Sequence, residues 1–354
     1  MTNPIQPKKY INLQDTLKHK LIQIHDSSGK TLTVNSTETY GFNNLYLYDG
    51  PLNSDHNWIA YPLGEGIYMF VHILTGKILT HPDIYLQSKA MDYIGDTTQL
   101  WTLETVKDNN HFYYIRNFYC GSNVALKRDT DFIMWSITAT DDIDISDTFP
   151  TLETLDSYPQ YTNIDDNLPS TTPDRLISFT LLPAPTVKDN QLTTKQKVQI
   201  TPYYLMEKHQ YWTKLQDFSI APGAELTKQY TYGMDTNQVN EMTKTTGITI
   251  NTDFGVNFSP GGILEANGSY KKQITNDLKL HESQTTDVAE TTTKTSKFDN
   301  SNNTYTIHYA KYILTTRLVL KQFNSNNSNI TIGDWSFSDP NTIQTTSLIP
   351  DMLK

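Results

Sequence analysis

The stretch from Gly247 to Lys271 most constrains what this chain can fold into. Its even positions read Ile248, Ile250, Thr252, Phe254, Val256 and Phe258, while the odd ones read Thr249, Asn251, Asp253, Gly255, Asn257 and Ser259. A Pro260-Gly261-Gly262 turn follows, and Leu264, Ala266, Gly268 and Tyr270 then alternate with Glu265, Asn267, Ser269 and Lys271. Period-two alternation on both sides of such a turn predicts a β-hairpin with one apolar and one polar face. Pairing Ser259 with Ile263 sets Phe258 opposite Leu264, Val256 opposite Ala266 and Phe254 opposite Gly268. The first arm, 248 to 258, is 11 residues long, and a tilted membrane strand needs roughly 9–11.

A hairpin with one face on a soluble core and the other in water carries the same alternation. The neighbourhood separates the two readings. From Gln238 to Lys297 almost every other residue is Thr, Ser, Asn, Gln or Lys, a composition suited to strands that wet a pore lumen. The predicted lipid-facing set is Ile248, Ile250, Phe254, Val256, Phe258, Leu264, Ala266 and Tyr270. Asp253 and Glu265 would make the lumen acidic, with Lys271 partly offsetting them. Burying about seven sizeable apolar side chains is worth on the order of 10–20 kcal/mol. The two outer edges of a lone hairpin would leave roughly ten backbone groups unpaired in hydrocarbon, each costing several kcal/mol. A monomer therefore cannot insert, and side-by-side hairpins closed into a barrel can. The reading requires a homo-oligomer on the target membrane.

Composition narrows the class. The chain has 354 residues, enough for two domains, with only 37% hydrophobic residues and 22 Tyr. A net charge of −10 argues against nucleic acid or anionic lipid as the primary partner. One cysteine, Cys120, excludes an intrachain disulfide framework. No run of 18 apolar residues occurs, so no transmembrane helix is predicted. Met1-Thr2-Asn3-Pro4 opens without an apolar h-region, so the expectation is a protein made without a secretory signal and stored as an inclusion. Tyrosine titrates near pH 10, and the many tyrosines suit a deposit that dissolves in alkali.

The first 150 residues repeat. Ser28-Gly29-Lys30-Thr31-Leu32-Thr33 returns 47 residues on as Thr75-Gly76-Lys77-Ile78-Leu79-Thr80, and His56-Asn57-Trp58 is echoed 43 residues on by Gln99-Leu100-Trp101. A weaker third copy runs from Phe112 through Leu126 to Phe149. Three short-stranded repeats are too few for a propeller and predict a β-trefoil. Gln99-Leu100-Trp101 resembles the Gln-x-Trp signature of ricin B-type lectin lobes, and Ser-Gly-Lys-x-Leu resembles their second strand. That family usually places a sugar-binding Asp after the Leu, where this chain has Thr33, Thr80 and Lys127. Galactose-type recognition needs an aromatic face and Asp, Asn or Gln for the hydroxyls. Lobe one offers Tyr46, Tyr48, Asn53 and Asp55; lobe two Tyr93, Asp96 and Gln99; lobe three Trp135, Asp141 and Asp142.

Ser157 to Asp174, rich in Pro, Asp, Asn and Thr, reads as an irregular crossover. Strands are predicted at Leu176–Pro183, Thr201–Trp212, Glu225–Tyr232, Thr304–Leu320 and Ile330–Trp335. Thr180-Leu181-Leu182-Pro183, Thr201-Pro202-Tyr203-Tyr204, Gln210-Tyr211-Trp212 and the 247–271 stretch, in that order, resemble the binary-toxin-like insecticidal proteins of spore-forming bacilli. The resemblance implies an all-β chain: a ricin B-type trefoil head over 1–155 and an aerolysin-like β-pore-forming module over 156–354. It also implies a glycan or glycoprotein receptor on gut cells, oligomerisation, pore formation and, in some members, a second toxin component.

Two other classes are weighed against it. A trefoil head can accompany a glycoside hydrolase, which needs two carboxylates roughly 5–10 Å apart across a cleft. No motif singles out such a pair, and His-Glu-x-x-His, Gly-x-Ser-x-Gly and phosphate-loop patterns are missing from the sequence. The nine His lack metal-ligand spacing, so no enzyme, metal site or cofactor is predicted. A lectin or adhesin without membrane action is the third class, and the alternating hairpin separates it from a toxin.

Overall fold

The computed structural model describes Leu17 and residues 20–82, 87–106, 109–118, 126–128, 131–132, 134–143, 149–163, 165–258, 268–322 and 330–349. Cys120, Leu264 and Ala266 lie outside these residues. The chain is mostly strand, with three α-helices among the described residues.

Twelve strands, from β1 (Lys20–Asp26) to β12 (Trp135–Asp142), make the first half. Trp58–Pro62 pairs with β1 and with Ile67–His72; Ile67–His72 pairs with Trp101–Val106, which pairs with Asn109–Asn117. Asn109–Asn117 then reaches β12, and β12 pairs with β1, so six strands close into a barrel. Three hairpins cap it: Thr31–Thr39 with Phe42–Tyr48, Ile78–Thr80 with Lys89–Met91, and Lys127–Arg128 with Asp131–Phe132. This is the expected β-trefoil.

The repeat has a physical basis in three indoles. Trp58 Nε1 donates to the Leu32 carbonyl at 3.0 Å, Trp101 Nε1 to Leu79 at 2.8 Å and Trp135 Nε1 to Leu126 at 3.1 Å. All three rings are buried, and each ties a barrel strand to the segment of its lobe's cap hairpin. An indole body fills the core while its N–H needs a partner, and a repeated carbonyl supplies one. The third tryptophan of the set is Trp135, which the weak third repeat hides.

Residues 149–163 and 165–174 cross to the second half with almost no regular structure. There β13 (Arg175–Pro183), β14 (Tyr203–Ile220), β19 (Ile307–Gln322) and β20 (Ile330–Ser338) form one antiparallel sheet, and β21 (Gln344–Leu348) pairs the far end of β19. The expected strand at 201–212 is thus the first part of an 18-residue strand, about 60 Å long at the usual rise. A separate ribbon pairs β15 (Glu225–Tyr232) with β18 (Thr292–Asp299). Between them lie α2 (Thr236–Thr246), a short hairpin of β16 (Ile248–Ile250) and β17 (Val256–Phe258), and α3 (Gly268–Asp277); α1 (Thr194–Ile200) precedes β14.

The two halves share one apolar core. Ile59, Tyr61, Leu63, Met69 and Val71 of the trefoil lie in the same buried cluster as Leu182, Tyr203, Leu205, Ile248 and Tyr270. Tyr61 donates to the Pro202 carbonyl at 2.7 Å, and its ring meets Tyr203 edge-on at 5.1 Å. Gly76, at φ +69, carries the trefoil backbone so close to α1 that a Cβ would stand 2.4 Å from Lys195 N. A separately buried trefoil core, Ile22, Trp58, Phe70, Trp101 and Trp135 among it, lies inside the barrel.

Two outcomes follow from this packing. Trp101→Phe keeps an apolar ring but leaves the Leu79 carbonyl buried without its donor, which costs about 1–3 kcal/mol. The denaturant midpoint should fall accordingly, and an unchanged midpoint would show that the indole bond carries no stability. Residues 1–155 expressed alone should bind anilinonaphthalene sulfonate and scatter light, because the Ile59, Tyr61 and Val71 face then lies open. A soluble, dye-silent fragment would contradict the shared core.

Candidate membrane-inserting segment and glycan surface

Over its described residues, 247–258 and 268–271, this stretch departs from the predicted hairpin. The antiparallel pairing is Ile248 with Phe258, Thr249 with Asn257 and Ile250 with Val256. That pairing turns at 251–255 and cuts the 11-residue arm in two; the expected turn at Pro260-Gly261-Gly262 lies outside the described residues. Asp253 is the reason. Its carboxylate accepts from Gly255 N at 3.1 Å, Ser283 Oγ at 2.8 Å and Gln284 N at 2.8 Å. Burial alone would raise the Asp253 pKa, yet these donors outweigh it and hold the group below the usual carboxylate value. Phe254 takes φ +57 to complete the turn, a conformation costly for a bulky side chain.

Segment 281–289 occupies the edges of this small hairpin. Val256 N donates to the His281 carbonyl, Ser283 N to Val256, Thr252 N to Asp287 and Ala289 N to Ile250, all between 2.8 and 2.9 Å. Tyr270 sits in α3, not in a strand. Tyr270, Ile274 and Leu278 are buried at four-residue spacing, so helical period wins where the period-two reading continued. Helix α2 was equally unexpected within a stretch read as strands. Asp235 caps it by accepting from Asn237 N and Gln238 N, Gly247 ends it at φ +73, and Val239, Met242 and Thr246 face inward. An N-cap Asp and a C-cap Gly eleven residues of helix apart were legible.

The apolar face itself is where the alternation puts it. Ile248, Ile250, Phe254, Val256 and Phe258 are all buried, at 9% exposure or less, against Leu205, Leu318, Trp335 and Phe337. Thr252, the polar member of the even set, is exposed. The flanking ribbon is the opposite. Along β15 and β18 most side chains are exposed Thr, Lys, Gln and Glu, and the less exposed ones are Leu226, Tyr230, Tyr232, Ser296 and Phe298. The ribbon rests on the long sheet through Phe218, Phe298 and Tyr309, with ring centroids 4.7 to 5.8 Å apart.

The glycan candidates divide sharply by lobe. In lobe one Tyr46 and Tyr48 share a face of the Phe42–Tyr48 strand. Tyr48 stacks on His56 at 4.3 Å, and Asn53 caps the Ser54–His56 turn, with its amide 3.3 Å from Asp55. Tyr46, Asn53 and Asp55 are exposed, and Tyr48 is half-buried against the buried His56 ring, a support that the sequence reading missed. In lobe two Gln99 is fully buried: its amide donates to the Asp92 carbonyl at 2.7 Å and to Thr80 Oγ1 at 3.2 Å, while Oε1 accepts from Ile94 N at 2.9 Å. Gln99 is a core strut, not a sugar ligand. Asp96 caps the Thr97–Gln99 turn, and Tyr93 packs against the shared core. In lobe three Trp135 is a core tryptophan 1% exposed. Asp141 is exposed six residues along the strand, about 20 Å away, and the side chain of Asp142 lies outside the described residues. Among the described residues, Trp135 and Asp141 of lobe three are not brought together.

Residues 175–346 match the family model described as Insecticidal Crystal Toxin, P42. That stretch is just under half of the chain, and it makes the second half similar to the insecticidal crystal toxin family. The chain is 29% identical over 219 residues to insecticidal crystal protein Cry35Ab1 of Bacillus thuringiensis, covering 60% of this chain and 55% of that one. It is 28% identical over 268 residues to binary larvicide subunit BinA of Lysinibacillus sphaericus, covering 73% and 67%. The first match spans little more than half the relative's length. In fold, the crystal structure of Cry35Ab1 superposes with a TM-score of 0.77 at 21% identity over 93% of this chain and 90% of that one.

Three buried tyrosines join the elements of this family module to the trefoil. Tyr61, Tyr203 and Tyr270 come from the barrel, β14 and α3, and all are at most 4% exposed. Burial first, and for Tyr61 and Tyr270 the neighbouring phenols next, pushes all three pKa values well above 10. Below pH 10 each phenol is neutral in both folded and unfolded chains, so its contribution to stability is intact. Above pH 10 only the unfolded chain ionises, and stability falls by about 1.4 kcal/mol per pH unit for each tyrosine. Alkali thus acts on the joint between the halves. A steep loss of ellipticity above pH 10 is expected, and Tyr203→Phe should make it shallower by about one proton's worth. Equal steepness in the variant would remove the cluster from the transition.

Proposed function

We propose that this chain is an insecticidal toxin that binds a glycan or glycoprotein on target cells, oligomerises, and inserts residues 247–271 into the membrane as one strand pair of a β-barrel. The observation that carries the reading is the storage of the apolar even positions from Ile248 to Phe258 against the core, in a segment bracketed by a largely polar ribbon. The ribbon pairs even with even, Tyr232 with Thr292 and Leu226 with Phe298. The 247–271 hairpin, with Phe258 opposite Leu264, uses the same parity. Unfurling α2 and α3 would therefore extend the ribbon into a long hairpin without flipping any face. Phe254 would leave its left-handed turn for extended backbone, releasing about 1–3 kcal/mol of local strain.

Support for the remaining parts is of different kinds. The exposed Tyr46, Asn53 and Asp55, with the half-buried Tyr48 beside them, support lobe one as the site for a galactose-type or N-acetylgalactosamine-type glycan. BinA is called a subunit of a binary larvicide, which supports action with a second toxin component. The edge argument for strands in lipid supports a homo-oligomer.

The decisive measurement replaces Cys120 and places single dye-labelled cysteines from 248 to 258. On vesicles the emission should alternate, apolar at even positions and aqueous at odd ones. The opposite phase would break the register, and no change from solution would remove insertion. On glycan arrays the full chain should lose its signal with Tyr48→Ala and keep it with Tyr93→Ala. Silence of the unaltered protein across glycans would remove lobe one as a sugar site.

A further inference from the structure

A cavity of about 370 Å³ lies where the trefoil, the edge of β13 and helix α3 meet. That is within the size range of small-molecule sites, roughly 300–1,000 Å³. Its apolar wall is built from Phe179, Leu181, Tyr203 and Tyr270, with Phe149 stacked on Phe179 at 5.2 Å. Its polar side holds Ser178, Asp277 and Lys279.

Two features of that polar side point to a ligand. Ser178 is 2% exposed, and its hydroxyl has no hydrogen-bond partner. A buried hydroxyl is ordinarily satisfied, and leaving one bare is costly. Across the β13–β14 pair Ser178 stands opposite Lys208, so both side chains leave the sheet on the same face. Lys208 is 5% exposed, and its ammonium donates to the Lys279 carbonyl at 2.8 Å. Burial, and then the charge of Lys279, lower the Lys208 pKa to about 8; no carboxylate figures among its causes. Lys279 itself reaches the Ile177 carbonyl at 3.1 Å and sits at φ +49 just after α3. The carboxylate on this wall, Asp277, is taken up by Thr180 Oγ1 at 2.9 Å. Lys279 and a bare hydroxyl thus border a pocket with a largely apolar and aromatic wall, and Lys208 stands opposite Ser178 on the neighbouring strand.

We propose that this cavity binds a small amphiphile with a carboxylate head, its body against Phe179, Tyr203 and Tyr270 and its head taken by Ser178 Oγ and Lys279, with the buried charge of Lys208 behind Ser178. Lysine is a compact donor whose burial becomes favourable when an anion joins it. Such a ligand bridges β13 to α3. Its further consequence, opposing the release of α3, rests on the pore reading; its binding does not.

Isothermal titration of the full chain at pH 7 with octanoate, against 1-octanol as the neutral control, tests the site. Octanoate should saturate one site per chain and bind at least tenfold more tightly than octanol. Lys208→Met preserves the apolar stem and removes the charge behind Ser178, and it should weaken octanoate several-fold without changing octanol. Lys279→Gln, on an exposed position, should weaken octanoate several-fold and serves if Lys208→Met does not fold. Hydrogen exchange of the α3 amides should slow with octanoate. Equal binding of octanoate and octanol, no saturation below the micellar concentration, or Lys279→Gln behaving as the unaltered protein would overturn the assignment. Vesicle leakage is measured separately, so loss of the pore mechanism and loss of the ligand site remain distinguishable.

Discussion

Ile248, Ile250, Phe254, Val256 and Phe258 share one buried cluster with Leu205, Leu318 and Trp335 of the long sheet, and with Ile59 and Val71 of the trefoil. Five such side chains are worth on the order of 10 kcal/mol when kept from water. That burial holds the short hairpin, α2 and α3 beneath the sheet, and it welds the trefoil to the module behind it. The same burial can be recovered in a lipid interior, where the hairpin's own backbone groups must find partners first. One apolar face thus sets this structure and, on the proposed pore reading, the condition for leaving it.

The surrounding contacts divide between holding and yielding. The backbone bonds from segment 281–289 and the donors around Asp253 shape a turn that sequence alternation alone would leave extended. Around the trefoil joint the contacts are different. Tyr61 to Pro202, and the close pass of Gly76 to Lys195, fix the head against α1 and β14. Buried phenols there are stable in neutral water and become a liability in strong base. An all-β sheet of long strands is stiff, whereas short elements tied by loop hydrogen bonds open more easily. The rigid and the releasable parts of the molecule therefore lie side by side.

The surface of the head shows how a repeated fold diverges. Three tryptophans keep the same carbonyl partners in all three lobes, because the barrel needs them. The positions outside that framework differ: lobe one exposes Tyr46, Asn53 and Asp55, while Tyr93 of lobe two packs against the shared core. Core positions repeat and surface positions do not, as expected when packing fixes the first and binding the second.

The sequence alone determined the trefoil, through the 47-residue recurrence of Leu32 and Leu79 and the Trp58 and Trp101 echoes, and it placed most second-half strands, Glu225–Tyr232 to the residue. It also determined which face of 248–258 is apolar, since period two depends only on residue order. Tertiary structure decided what that face does in the resting state. Asp253 finds donors thirty residues away in Ser283 and Gln284, and a turn made by such distant partners leaves no local signature. Tyr270 reads equally well at spacing two and four until Ile274 and Leu278 join it in the core. Gln99 and Trp135 look like binding residues by type, and only burial shows them to be structural. The shared core follows from how two separately legible halves dock, a fact of three-dimensional complementarity that no stretch of the chain carries.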